Sequence, residues 1–124
     1  MIGYTTVGAA NMEKAAEFYE GIFSEMGAKR GFDEDTFKAW GMGPGQPGFA
    51  IIRPFDGNAP SAGNGVMIAL AAPSREAVDK YYAKAMEMGA TDEGAPGIRG
   101  GENSTFYAGY FRDLDGNKLN FFHM

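Results

Sequence analysis

The 124-residue chain carries one histidine, His123, and no cysteine, so borderline metal donors are almost absent and there is no thiol nucleophile. A seryl or threonyl nucleophile needs an activating base, and the one imidazole stands at the penultimate residue with no nucleophile matched to it. Carboxylates are plentiful at 16, enough for acid–base chemistry or an all-oxygen cation site. Many of them, including Glu13, Glu17, Glu20, Asp79 and Glu87, fall on the polar sides of helical patterns, where solvation is the ordinary outcome. Arg53 has the planar fork that holds anions, but an arginine before Pro54 at a strand end is more commonly an exposed side chain. The glycine-rich stretches Gly41–Gly48 and Gly94–Gly101 are not phosphate loops, because no Gly-Lys-Ser/Thr follows and neither opens a helix. They read as connections at the mouth of a sheet.

Composition narrows the partners. A net charge of −5 argues against binding a phosphate backbone, which requires clustered Lys and Arg. No run approaches the roughly 20 apolar residues of a membrane span, and the N-terminus has neither the basic segment nor the apolar core of a signal peptide. The expected partners therefore include neither nucleic acid nor membrane, and the lack of cysteine is compatible with a cytoplasmic location. An apolar fraction of 44% suffices for one core, and 19 glycines beside 10 phenylalanines suit short strands joined by tight turns.

Two amphipathic helices stand out. Asn11 is a good N-cap, followed by an apolar stripe of Met12, Ala15, Ala16, Tyr19, Ile22, Phe23 and Met26 and a stop at Gly27. Ser74, after Pro73, caps a second stripe of Val78, Tyr81, Tyr82, Ala85 and Met88 that ends at Gly89. The exits match, Glu25-Met26-Gly27-Ala28 against Glu87-Met88-Gly89-Ala90, with Tyr19 over Tyr81 and Ala15 over Ala77 at the same offset. Strand patterns precede the helices at Ile2–Gly8 and Gly65–Ala71. Others follow at Ala28–Asp33, Thr36–Gly41 and Gly48–Arg53, then at Ala90–Arg99, Phe106–Asp113 and Asn117–His123. The plan is an α+β fold with βαβββ written twice. It divides one 1–124 domain into modules at 1–57 and 64–124, with the turn-rich segment 54–63 as a linker.

Within the final pair of strands, Tyr110-Phe111-Arg112-Asp113-Leu114-Asp115-Gly116-Asn117 places a strong turn pair, Asp115-Gly116, between alternating patterns and predicts a hairpin. Together with the N-terminal strand, the Asn-capped helix carrying Phe18-Tyr19 and the doubled βαβββ plan, this stretch resembles the vicinal oxygen chelate family. That family includes glyoxalase I, extradiol dioxygenases and bleomycin-resistance proteins. The resemblance covers essentially the whole chain and implies curved mixed sheets with an outer helix, forming half-open barrels, often in homodimers that complete one another's sites. Metal-dependent members carry histidine and glutamate ligands on the concave faces. The matching positions here are Tyr4, Met67 and Asn120, with a fourth near Ile51 or Ile52. None is a strong ligand for a divalent ion, so the resemblance implies no metal and no other cofactor here. His123 has opposite strand parity to Asn120 and should face away.

Strand parity then supplies a lining. Tyr4, Thr6, Met67, Ala69, Ala108, Tyr110, Asn120 and Phe122 should point inward, Val7, Val66, Ile68 and Leu70 should pack under the helices, and Trp40 should stand at the pocket rim. The ligand-binding set is Tyr4, Thr6, Trp40, Met67, Tyr110 and Asn120, apolar walls with a few hydrogen-bonding groups that suit a small apolar or amphipathic molecule. Three functions compete. One is a metal-independent binding protein, including a sequestering one in the manner of bleomycin resistance. Another is a metal-dependent lyase, isomerase or dioxygenase with rearranged ligands. The third is an interaction module whose side chains fill the barrel as core. Whether the chain is an enzyme stays open at this level.

Overall fold

The computed structural model describes residues 1–124. The first half contains β1 (Tyr4–Gly8), α1 (Met12–Met26), β2 (Lys29–Glu34), β3 (Phe37–Gly41) and β4 (Gly48–Ile52). The second repeats the order with β5 (Ile68–Ala71), α2 (Arg75–Glu87), β6 (Thr91–Ile98), β7 (Tyr107–Arg112) and β8 (Lys118–His123). Each half forms a four-stranded mixed sheet, ordered β1-β4-β3-β2 and β5-β8-β7-β6, and neither closes into a barrel. The helix makes the parallel β1–β4 and β5–β8 pairings possible, since only a long crossover returns the chain in the same direction.

Both helix starts follow from their caps. The Asn11 side chain accepts from the Lys14 N–H at 3.0 Å, and Ser74 accepts from the Ala77 N–H at 3.1 Å. The helix-facing side of the first sheet presents Val7, Phe49, Ile51 and Trp40 to α1, and that of the second presents Phe111, Leu119 and Phe121 to α2. These surfaces merge into one apolar cluster of 19 buried residues drawn from both halves. Phe18, outside the stripe read from the sequence, is 1% exposed because α1 is held on a second side, where its ring meets Phe111 of the other half. Contacts between α1 and α2 also join the halves, while no strand pairing links the two sheets.

The strand expectations shift at two places. β5 begins only at Ile68, because Val66 and Gly65 belong to a turn in which the Val66 N–H donates to Gly63. Val66 is therefore 61% exposed instead of packing under a helix. The β7–β8 connection is a five-residue loop, 113 to 117, organised by a side chain. Asp113 Oδ1 accepts the backbone N–H of both Asp115 and Asn117 at 2.9 Å, and Gly116 takes φ 85° in its left-handed step.

This loop also fastens the halves together. Asp113 Oδ2 accepts the Tyr19 hydroxyl at 2.6 Å, the Asn117 amide donates to the Gly8 carbonyl at 3.0 Å, and Asp115 accepts the Ala10 N–H at 2.9 Å. Burial, reinforced by the neighbouring Asp113 carboxylate, pushes the Tyr19 phenol well above its usual value of 10.0. The folded protein thus keeps this proton at pH values where the unfolded chain has lost it. The contribution is intact below about pH 10 and disappears as pH rises from there through the folded pKa. Thermal unfolding measured from pH 8 to 11 should show a falling midpoint above pH 10, and Tyr19→Phe should flatten that fall; an unchanged slope in the variant would refute the assignment.

Candidate functional site

Opposite the helix layer, each sheet presents an uncovered face. On the first sheet, register places Tyr4 beside Gly48, Thr6 beside Ala50, and Ala50 beside Ala39. Tyr4 meets Phe37 edge-on at 6.2 Å between centroids, and Phe37 meets Phe32 at 6.1 Å. Small residues in the middle of the sheet leave room for this aromatic fringe. Tyr4 and Phe32 remain 64% and 61% exposed, an unusual state for aromatic side chains grouped on one face.

The second sheet's uncovered face is built around β7 and β8. Asn120 lies between Tyr110 on β7 and Ala69 on β5 in the register, with Lys118 and Phe122 two residues away on its own strand. Phe122 stacks on Phe106 at 5.6 Å. Asn120 is wholly buried, yet neither its amide nitrogen nor its amide oxygen has a hydrogen-bond partner. Such a group costs roughly 1–3 kcal/mol of desolvation unless something satisfies it. Alternation fixes Asn120 on the side away from the helix, since Leu119 and Phe121 must face it, and its neighbours there, Ala69, Tyr110, Lys118 and Phe122, leave it no exposed surface.

The six residues expected to share one pocket are thus divided. Tyr4 and Thr6 lie on one sheet, Tyr110 and Asn120 on the other. Trp40 departs from expectation: it points to the helix side, 2% exposed, packed on Phe23 and Tyr19 with its indole N–H donating to Glu20 at 2.6 Å. Phe37, on the opposite parity, takes the uncovered face instead. The reason is the β3–β4 register, which sets Trp40 against Phe49 in the aromatic core and leaves Phe37 against Ile52. Met67 precedes β5 and is 40% exposed.

Trp40 and Met67 do line a cavity, of about 550 Å³, at the seam between β1 and β5. Its other walls include Ile2, Phe23, Met26, Met42 and Leu70. Thr5 provides the only side-chain hydroxyl, and the Trp40 N–H is already taken by Glu20. A cavity with so little to orient a ligand is better suited to covering by another apolar surface than to selective recognition. The uncovered faces, with Asn120, Tyr110, Tyr4 and Thr6, carry the polar groups.

Sequence reasoning overlooked Arg99 and Lys118. Their charges approach the Tyr110 ring at 5.6 and 5.7 Å. The signal was present for Lys118, which has the same strand parity as Asn120; for Arg99 it was hidden by the irregular pairing of β6, where the register shifts on both sides of Gly94.

At the positions matching the metal ligands of the resembling family stand a phenol, a thioether and an amide. These donors do not fit a divalent ion that has to be compensated for lost hydration, and nowhere do three or more His, Cys, Asp or Glu side chains gather in a metal-holding group. His123 is on the helix-facing side of β8, its Nδ1 3.0 Å from the Ala72 carbonyl oxygen.

Twin βαβββ halves, each with an outer helix and an uncovered sheet face, define a class of paired-module proteins. The chain belongs to the Glyoxalase/Bleomycin resistance protein/Dioxygenase superfamily, whose model matches residues 1–121. A glyoxalase/bleomycin resistance protein from Albidiferax ferrireducens is 30% identical, with a TM-score of 0.90 over 100% of this chain and 98% of that one. A hypothetical protein from S. aureus is 25% identical, with a TM-score of 0.75 over 100% and 93% of the two chains. A family enzyme from Burkholderia phytofirmans shares the fold at 17% identity and a TM-score of 0.75, covering 97% of this chain and 95% of that one. Comparison with curated proteins gives no significant match. No helix is long and apolar enough to cross a membrane.

Proposed function

We propose that this protein binds a small molecule without a metal, as a cytoplasmic homodimer in which a second copy encloses the uncovered sheet faces. The observation that carries the binding role is Asn120, a buried amide with no partner, on a face that also presents Tyr110, Phe122, Ala69, Lys118 and Arg99. A filled core would leave that amide permanently unsatisfied; a ligand's polar edge satisfies it. The unsuitable donors at Tyr4, Met67 and Asn120 support binding without a metal.

The pattern of sheet edges supports the homodimer. Edge strand β2 is guarded by Lys29, Arg30, Asp33 and Glu34, and β6 by Asp92, Glu93 and Pro96. The other two edges, β1 and β5, lack such protection and are flanked by exposed Ile2, Tyr4, Val66 and Met67. Because the halves repeat one plan, a two-fold axis can set β1 of one copy beside β5 of the other at two equivalent places. The same contact would cover the apolar seam cavity.

Sedimentation should give a dimer at micromolar concentration, and Val66→Asp combined with Met67→Asp should give a folded monomer. Elemental analysis of purified protein should find less than stoichiometric transition metal, and small aromatic compounds should raise the melting temperature. Stoichiometric metal whose removal abolishes a lyase, isomerase or dioxygenase activity would replace this reading with the metal-dependent one.

A further inference from the structure

The geometry points to a ligand class for the second module: a planar aromatic carboxylate, its anionic group held by Arg99 and Lys118 and a polar ring substituent hydrogen-bonded to Asn120. This inference rests on the small-molecule-binding reading above and specifies its chemistry.

Two cations approach one ring, Lys118 from β8 and Arg99 from the end of β6, the strands on either side of β7. The Arg99 guanidinium carbon and the Lys118 ammonium nitrogen lie 5.6 and 5.7 Å from the Tyr110 centroid, and neither forms an ion pair with a carboxylate. Arg112, on the strand that carries Tyr110, is by contrast paired with Glu93 at 2.9 Å. Attraction to the face of Tyr110 partly offsets the repulsion between two like charges, but it does not neutralise them. An anion within reach of both does, because the native carboxylates that feel them, Asp92 near Arg99 and Glu93 near Lys118, are already engaged by Tyr82 and Arg112.

Arg99 is also prearranged. Its Nη2 donates to the Ala95 carbonyl, and the guanidinium lies across β6 above Gly94 and Gly97. A Cβ at those glycines would come within 3.2 and 2.9 Å of its nitrogens, so the bare backbone forms the trough that receives it. The backbone bonds leave further N–H groups of the planar fork for a carboxylate.

Asn120 supplies an independent observation. It is the register partner of Tyr110, so its unsatisfied amide belongs to the strand position beside the ring that both cations approach. The amide offers one acceptor and two donor hydrogens, which matches a phenolic hydroxyl able to donate and accept. The stacked Phe122 and Phe106 give a flat apolar wall on the same face. Lys118, flexible and two residues from Asn120, can move with ligand entry and then close on the anion.

The test is titration of the intact protein with 4-hydroxybenzoate, benzoate and the neutral 4-hydroxybenzamide, followed by calorimetry and by amide NMR shifts. The acid should bind at least about tenfold more tightly than the amide, with affinity falling as salt rises, because a charge-assisted pair separates them. Arg99→Gln and Lys118→Gln should each reduce the acid's affinity about fivefold or more while leaving the amide's unchanged. Asn120→Leu should erase the preference of the site for 4-hydroxybenzoate over benzoate. Since that substitution fills a buried position, thermal unfolding of the variant verifies its folding, and the surface variants test the anion site separately. Equal binding of acid and amide, or acid affinity indifferent to both cation substitutions, would overturn the ligand class and leave the binding role standing. If none of the three compounds shifts the amides of β7 and β8 at millimolar concentration, both readings fall.

Discussion

Replacing Asp113 by alanine is expected to lower the free energy of unfolding by about 3–5 kcal/mol, the range for removing one member of a buried, charge-assisted network. The side chain is 6% exposed and answers four donors: two backbone N–H groups of its own loop, the Asn117 amide and the Tyr19 hydroxyl. Alanine leaves all four without that partner, and the Tyr19 hydroxyl is in a core that water does not reach. Tyr19→Phe removes one donor and keeps the ring in its stack on Phe23, so its cost should be nearer 1 kcal/mol. Urea unfolding followed by circular dichroism distinguishes the two. A loss below about 1 kcal/mol in the Asp113 variant would mean that the loop does not fasten the halves.

Phe18→Ala should be comparably damaging, by about 3–5 kcal/mol, because an aromatic side chain removed from a close-packed core leaves a cavity as well as losing its transfer energy. Phe18 meets Tyr19 at 5.0 Å and Phe111 at 6.5 Å, and Phe111 stacks in turn on Phe121 at 5.0 Å. The ring therefore joins the cores of both halves. Since those cores form one cluster, the weakened variant should still unfold in a single transition. Two resolved transitions, one for each half, would show that the shared core does not couple them.

The helices were legible because their signals are local. Asn11 and Ser74 are caps, and the stripes from Met12 to Met26 and from Val78 to Ala85 need only the helical period to be recognised. Strand existence and face were legible for β8, where Leu119 and Phe121 alternate with Asn120. Trp40 was not. Strand parity separates Trp40 from Phe37 but does not say which of two large aromatics faces a helix, and here the partners Phe49 and Tyr19 decide it. Val66 misled for a different reason: an apolar residue beside a strand pattern looks like strand, whereas the turn from Gly63 holds it outside. Arg99 could not be placed from spacing, because the shifted register of β6 breaks the period of two on which such placement depends.

By itself the sequence determined the doubled βαβββ plan, which follows from residue type and short-range periodicity, and its motifs carried the resemblance to the family that sets Tyr4, Met67 and Asn120 at metal-ligand positions. Only the tertiary structure decided that these residues belong to two separate sheet faces. It alone also revealed that Asp113 ties the halves through Tyr19, and that Arg99 and Lys118 each approach the Tyr110 ring, whose register partner Asn120 carries an unsatisfied amide. The physical reason is range. Caps and alternation act within a few residues, whereas a face, a clasp or a pair of converging charges exists only after distant strands have chosen their register and the helices have set one sheet against the other.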